Sequence, residues 1–184
     1  MRKLILALFL VAFVKVNAQE NSKSNVEKDA KGISVNAPEG IHQYAFRIGE
    51  WDGTSKSLIS KNVWKTDSSG SHRVYVGDNG LTLIEEGVDN EGNITHKITF
   101  DYIEATNSWE NNYVDAKTGR KQKYTSKMVD GKMVETIERE DNVNNNTYTL
   151  VGDNIYIYTA RRTFGNGYTI VNHVGISTKQ VKAN

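Results

Sequence analysis

The sequence predicts an all-β fold, an antiparallel up-and-down barrel of roughly ten strands, and three observations carry that expectation. Short apolar or alternating segments recur at spacings of about ten residues from Ile41 onward. Turn signals separate them: Asp78-Asn79-Gly80, Asp130-Gly131, Gly152-Asp153-Asn154 and Gly165-Asn166-Gly167 supply the positive φ angles of tight hairpins. No segment sustains a helical period long enough for a crossover helix, which removes parallel sheets. A single antiparallel sheet with one apolar face and no helix to cover it buries that face by closing on itself.

The elements follow in order. Arg2 and Lys3 precede an apolar run, Leu4 to Val14, which ends in the small-residue exit Val16-Asn17-Ala18; residues 1–18 have the organisation of a secretory signal peptide. A run of about eleven residues falls short of the roughly twenty that span a bilayer. Gln19 stands where a lipoprotein would need cysteine. Secretion or export to a periplasm, without lipidation, is the expected localisation. Removing residues 1–18 takes away Arg2, Lys3 and Lys15 but no acid, so the remaining chain is slightly acidic. With 23 Lys+Arg against 22 Asp+Glu in all, neither nucleic acid nor, after signal cleavage, a membrane is an expected partner. The absence of cysteine excludes disulfides, thiolate metal sites and a Cys nucleophile.

Residues 19–40 are polar, hold few large apolar side chains and contain the only proline, Pro38; they read as a flexible leader. Ile41–Ile48 is the one helical stretch, with Ile41, Tyr44, Ala45 and Ile48 on one face. Strands are expected over Trp51–Ile59, Val63–Thr66, Ser71–Val76, Leu81–Val88, Ile94–Tyr102, Ser108–Val114, Lys121–Val129, Lys132–Arg139, Thr147–Val151, Asn154–Phe164 and Gly167–Ile176. Asp89–Asn93 and Asp141–Asn146 read as longer solvated loops. The barrel domain is thus residues 41–178, and 179–184 a disordered tail.

Alternation assigns faces. His96, Ile98, Phe100 and Tyr102 share one; His72, Val74 and Val76 another; Trp109, Asn111 and Tyr113 a third. Tyr156 and Tyr158 oppose Ile155 and Ile157, and which pair faces inward stays open.

The run Phe46-Arg47-Ile48-Gly49-Glu50-Trp51-Asp52-Gly53 resembles the opening of calycin-type barrels, the lipocalin and fatty-acid-binding class. More specifically, the chain is similar to bacterial proteins of the uncharacterised DUF1579 family. These share that opening and a mid-chain pattern like Phe100-Asp101-Tyr102, Trp109, Tyr113-Val114-Asp115 and Gly119. The likeness covers about residues 41–176 and implies a barrel with room for an interior ligand. It brings no catalytic residues. In lipocalins the motif tryptophan packs across the closed end against an arginine from a late strand; the resemblance places Trp51 in that role, with Arg161 or Arg162 as the cation. Nitrobindin-like barrels resemble the same architecture and hold haem through a histidine near the chain end, which points to His173.

The ligand-binding candidates are therefore Trp51, His72, His96, Tyr102, Arg162 and His173. No two histidines have the spacing of a ready-made metal pair, and neither a metal nor another cofactor is assigned. Glu85 and Glu86 point to opposite faces. Glu135, on the face of Met133 and Ile137, is read with Glu138 as a solvated or cross-strand charge. Any carboxylate inside would be desolvated and suited to proton transfer. Three functions fit: a binder of a small hydrophobic or amphipathic ligand, favoured because no catalytic constellation can be named; an enzyme using an inward His or carboxylate; or a solid barrel that docks a protein partner. Two inward titratable groups within hydrogen-bond reach at the base of a cleft would favour the enzyme.

Overall fold

The structure, a computed structural model, describes residues 26–67 and 69–181. Residues 1–18, expected to be a signal peptide, lie outside the described residues. A short helix α1, Glu39–His42, and a 3₁₀ turn, Ala45–Arg47, precede the strands β1 Gly49–Ser60, β2 Val63–Thr66, β3 Gly70–Val76, β4 Leu83–Val88, β5 Ile94–Ile103 and β6 Ser108–Asp115. β7 Lys121–Val129, β8 Lys132–Glu138, β9 Asn142–Leu150, β10 Ile155–Phe164 and β11 Thr169–Lys179 complete the series. All neighbours are antiparallel, and β11 returns to β1 with Trp51 opposite Lys179 and Ser57 opposite His173. The result is a closed ten-strand barrel plus β2. β2 pairs with the distal half of β1 (Leu58 opposite Trp64) and β3 with its proximal half (Trp51 opposite His72), so the two are successive stretches of one hairpin arm.

Four expectations change. Ile33 is fully buried in the core, and the Ser34 N–H donates to the Gly80 carbonyl at 2.8 Å. From residue 26 on, the supposed leader is part of the barrel. Its turn is held by Asp29 Oδ1, which accepts from the N–H groups of Lys31 and Ile33. Burying one isoleucine contributes about 2 kcal/mol, enough with these bonds to offset ordering a short turn. Gly80 sits at φ 71°, where an added Cβ would come within 2.9 Å of the Ser34 nitrogen; the docking needs glycine.

The stretch expected as one helix is instead α1 and a separate 3₁₀ turn, since so short a segment takes its shape from what it packs on. Its apolar face is as expected: Ile41, Tyr44 and Ala45 are buried against Leu83, Phe100 and Trp109. Asp141–Asn146 is not a loop; β9 starts at Asn142, because β8 offers ladder partners and Thr136 Oγ1 donates to Asn145 Oδ1. At the other end β11 runs to Lys179, and Gln180 donates from its backbone to Glu50 O and from its amide to Asp52 Oδ1, so residues 179 and 180 belong to the barrel rather than to a disordered tail.

Candidate functional site

The N-terminal segment plugs one end of the barrel, where the hairpin turns after β3 and β5 lie. Ile33, Ile41, Tyr44, Leu83, Phe100, Trp109 and Met133 fill that part of the interior. Tyr44 stacks on Trp109 with centroids 4.2 Å apart. Tyr102 belongs to this cap rather than to any cavity. Its ring lies over Gly40, which has no room for a Cβ, packs 5.2 Å from Trp109 and donates through its hydroxyl to Asn107 Oδ1 at 2.9 Å.

From the cap, Arg47 reaches into the barrel. The 3₁₀ turn puts it one turn beyond Tyr44, on the buried face, and only 2% of it remains exposed. Its guanidinium pairs with Glu85 of β4, sits 4.5 Å from the Tyr148 ring and 5.4 Å from Phe100, and leaves Nε without a partner. Burial alone would raise the Glu85 carboxyl. Arg47, aided by the imidazoles of His96 and His72, overrides that and holds it at about 2. The second inward carboxylate, Glu135 of β8, is 2% exposed. Burial pushes it up to about 7 despite Arg47 and hydrogen bonds to Oε2 from Asn146 and Tyr148, while Oε1 has none.

Beside Arg47 and Glu85 a cavity of about 310 Å³ opens to solvent. His72, His96 and His173 line it together with Tyr148, Tyr156 and Tyr158. Glycine makes the room. Gly53, Gly70 and Gly175 form wall without side chains, and at Gly87 a Cβ would lie 2.1 Å from His96 Cε1, so that ring occupies the space over the glycine. Trp51, fully buried, donates from Nε1 to the Arg47 carbonyl at 2.7 Å and packs 4.8 Å from Tyr156 and 6.4 Å from His72, behind the cavity surface. His72 Nε2 and the Tyr156 hydroxyl lie 2.5 Å apart. Burial lowers the His72 pKa and raises that of Tyr156 to about 12, so near neutrality both are uncharged. His96 Nε2 stands 4.0 Å from Glu85 Oε1, and His173 Nε2 3.4 Å from Asp67 Oδ2.

Of the six candidates, three histidines face the cavity and Trp51 backs it. Arg162 does not join them: its Nε donates to Asn144 Oδ1 at 3.2 Å. The cation over Trp51 is Lys179, 5.5 Å away, because strand register places it opposite Trp51. Glu135 is buried rather than solvated. Arg47, Glu85, Tyr156 and Tyr158 were not among the candidates. Alternation puts Glu85 on the face of Leu83 and Glu135 on that of Met133, both buried, and a carboxylate is rarely buried without a cation. That cation, Arg47, comes from the plug. No group of three or more His, Asp or Glu that could hold a metal ion occurs among the described residues.

A closed antiparallel barrel, plugged at one end and hollow beside a buried ion pair, is a calycin-like fold. No protein-family model matches the chain, and no curated protein does. Among solved structures it is similar to an S-type phycobiliprotein lyase from Guillardia theta (10% identity, TM-score 0.50, covering 78% of this chain and 93% of that one). It is also similar to a DUF3598-family protein of unknown function from Nostoc punctiforme (11% identity, TM-score 0.51), covering 83% of this chain and 59% of that one. Zebrafish ileal bile acid-binding protein complexed with cholic acid matches at 16% identity and a TM-score of 0.49, over 73% of this chain and 99% of that one. At these identities the likeness establishes the fold alone.

Proposed function

We propose that the protein is an exported binder that holds a small amphipathic molecule in the hollow half of its barrel, and that its kin are the DUF1579 proteins its opening motif resembles. One observation carries the reading: the 310 Å³ space is lined by aromatic carbon edged with imidazole and phenol groups, rather than filled by side chains. Such a wall suits a one- or two-ring molecule with hydrogen-bonding groups better than a plain hydrocarbon, because an all-apolar guest would leave those edges unpaired. Export rests on residues 1–18 and predicts a mature N-terminus at Gln19.

Fluorescence titration of the mature chain with 8-anilinonaphthalene-1-sulfonate tests the binding. Ser177 is buried and faces the cavity, so Ser177→Phe fills the space. Wild type binds the dye, and the filled variant loses at least tenfold in affinity. A wild type that binds none, or a variant that binds equally, contradicts the reading.

A further inference from the structure

We propose that the cavity is also a proton-transfer site, in which His72 and Tyr156 act together as base and hydrogen-bond donor on a small enolisable carbonyl compound. The two groups come from strands on either side of β1 and β11, β3 and β10, and meet only because the barrel closes. They line one cavity, 2.5 Å apart, with Trp51 behind both rings. Neither is part of the Arg47–Glu85 pair that neutralises the interior charge.

In the arrangement with Tyr156 as donor, its O–H points at His72 Nε2, which carries the lone pair. A carbonyl oxygen entering the cavity takes over the Tyr156 hydrogen bond and frees that lone pair. Nε2 then removes a proton from the carbon next to the carbonyl. The C–H electron pair moves into the new C=C bond, and the carbonyl π pair moves onto oxygen, where Tyr156 stabilises the enolate. Once the protonated imidazole has traded its proton for a solvent deuteron, delivery of the deuteron to the same carbon gives exchange; delivery one carbon further along a conjugated system gives isomerisation. Nothing is oxidised or reduced. The charged and titratable groups around His72 are Arg47 from the plug, Asp52 from β1, Glu85 from β4, His96 from β5 and Tyr156 from β10. Burial keeps the imidazole neutral, as a base requires.

The probe is 2-tetralone, an aromatic ketone with activated hydrogens, incubated with the mature protein in D₂O. Proton NMR follows loss of its α-hydrogens, and saturation transfer from the protein reports binding. Wild type speeds exchange at least tenfold over the same concentration of free imidazole. His72→Gln returns it to that background, and Tyr156→Phe slows it about tenfold, while saturation transfer persists in both. The rate follows an imidazole titration below the ordinary histidine range. Exchange no faster than free imidazole overturns the proposal, whether or not the ketone binds; so does a rate that His72→Gln leaves unchanged. Because the dye titration reads binding alone, failure of exchange with dye bound refutes the chemistry and leaves the binding reading standing.

Discussion

The two halves of the barrel interior hold similar groups under opposite rules. Toward the plug, Tyr44, Phe100, Trp109 and Met133 interlock with Ile33 and Ile41 from the N-terminal segment, and the space is filled. Toward the open end, His72, His96, His173 and three tyrosines surround a void. A carboxylate stands on each side of Arg47. Glu85, paired with the guanidinium and facing the cavity, stays ionised; Glu135, without a direct ion pair, keeps its proton to about pH 7. The filled half offsets the ordering of the chain, and the hollow half keeps the polar edges on which the proposed binding rests.

Removing the ion that joins the halves has the largest expected effect. Arg47→Met leaves Glu85 buried without its cation and costs about 3–5 kcal/mol in urea unfolding. Adding Glu85→Gln restores a large share; a double variant as weak as the single one would show that Arg47 acts through packing alone. Next comes Ile33→Ala, at about 2–4 kcal/mol with dye binding retained. A loss below about 0.5 kcal/mol would return residues 26–40 to the status of leader.

The carboxylates separate by pH. Because Glu135 titrates higher in the folded state, at about 7 against a usual 4.5, the folded protein holds a proton that the unfolded chain releases. Stability therefore falls as pH rises across that window, by an amount on the order of a few kcal/mol, and levels off above it. Glu85, held at about 2, contributes in the opposite sense: its stabilisation is present above pH 4.5 and fades as pH falls toward 2. Glu135→Gln removes the first slope and keeps the second; equal slopes in both proteins would mean that Glu135 is not the titrating group. Tyr102→Phe, at the cap, gives the smallest change. It loses about 1 kcal/mol with the Asn107 bond and leaves dye affinity unchanged.

What the sequence made legible follows from which forces are local. Alternation placed Ile98, Phe100 and Trp109 inward, and hairpin dipeptides placed the turns, because both depend on near neighbours. The first half of β9 escaped, since Asn142 to Asn146 have low strand propensity and are held by β8, while the expected strand from Thr147 is its second half. The plug escaped because one isoleucine in a polar stretch gives no periodic signal. Arg47 and Glu85 lie 38 positions apart and become a pair only when the plug packs into the barrel. His72 and Tyr156, 84 positions apart, meet only when the barrel closes, so the histidine could be nominated but not its partner.

The four histidines give the most direct test of the central claim, that the open half of the interior is a ligand cavity. His72, His96 and His173 line it, while His42 is exposed on α1. In imidazole-edited NMR, adding 8-anilinonaphthalene-1-sulfonate is expected to move the three cavity resonances together and leave His42 in place. Dye that binds while those three stay fixed, or a spectrum that does not respond at all, would contradict the account.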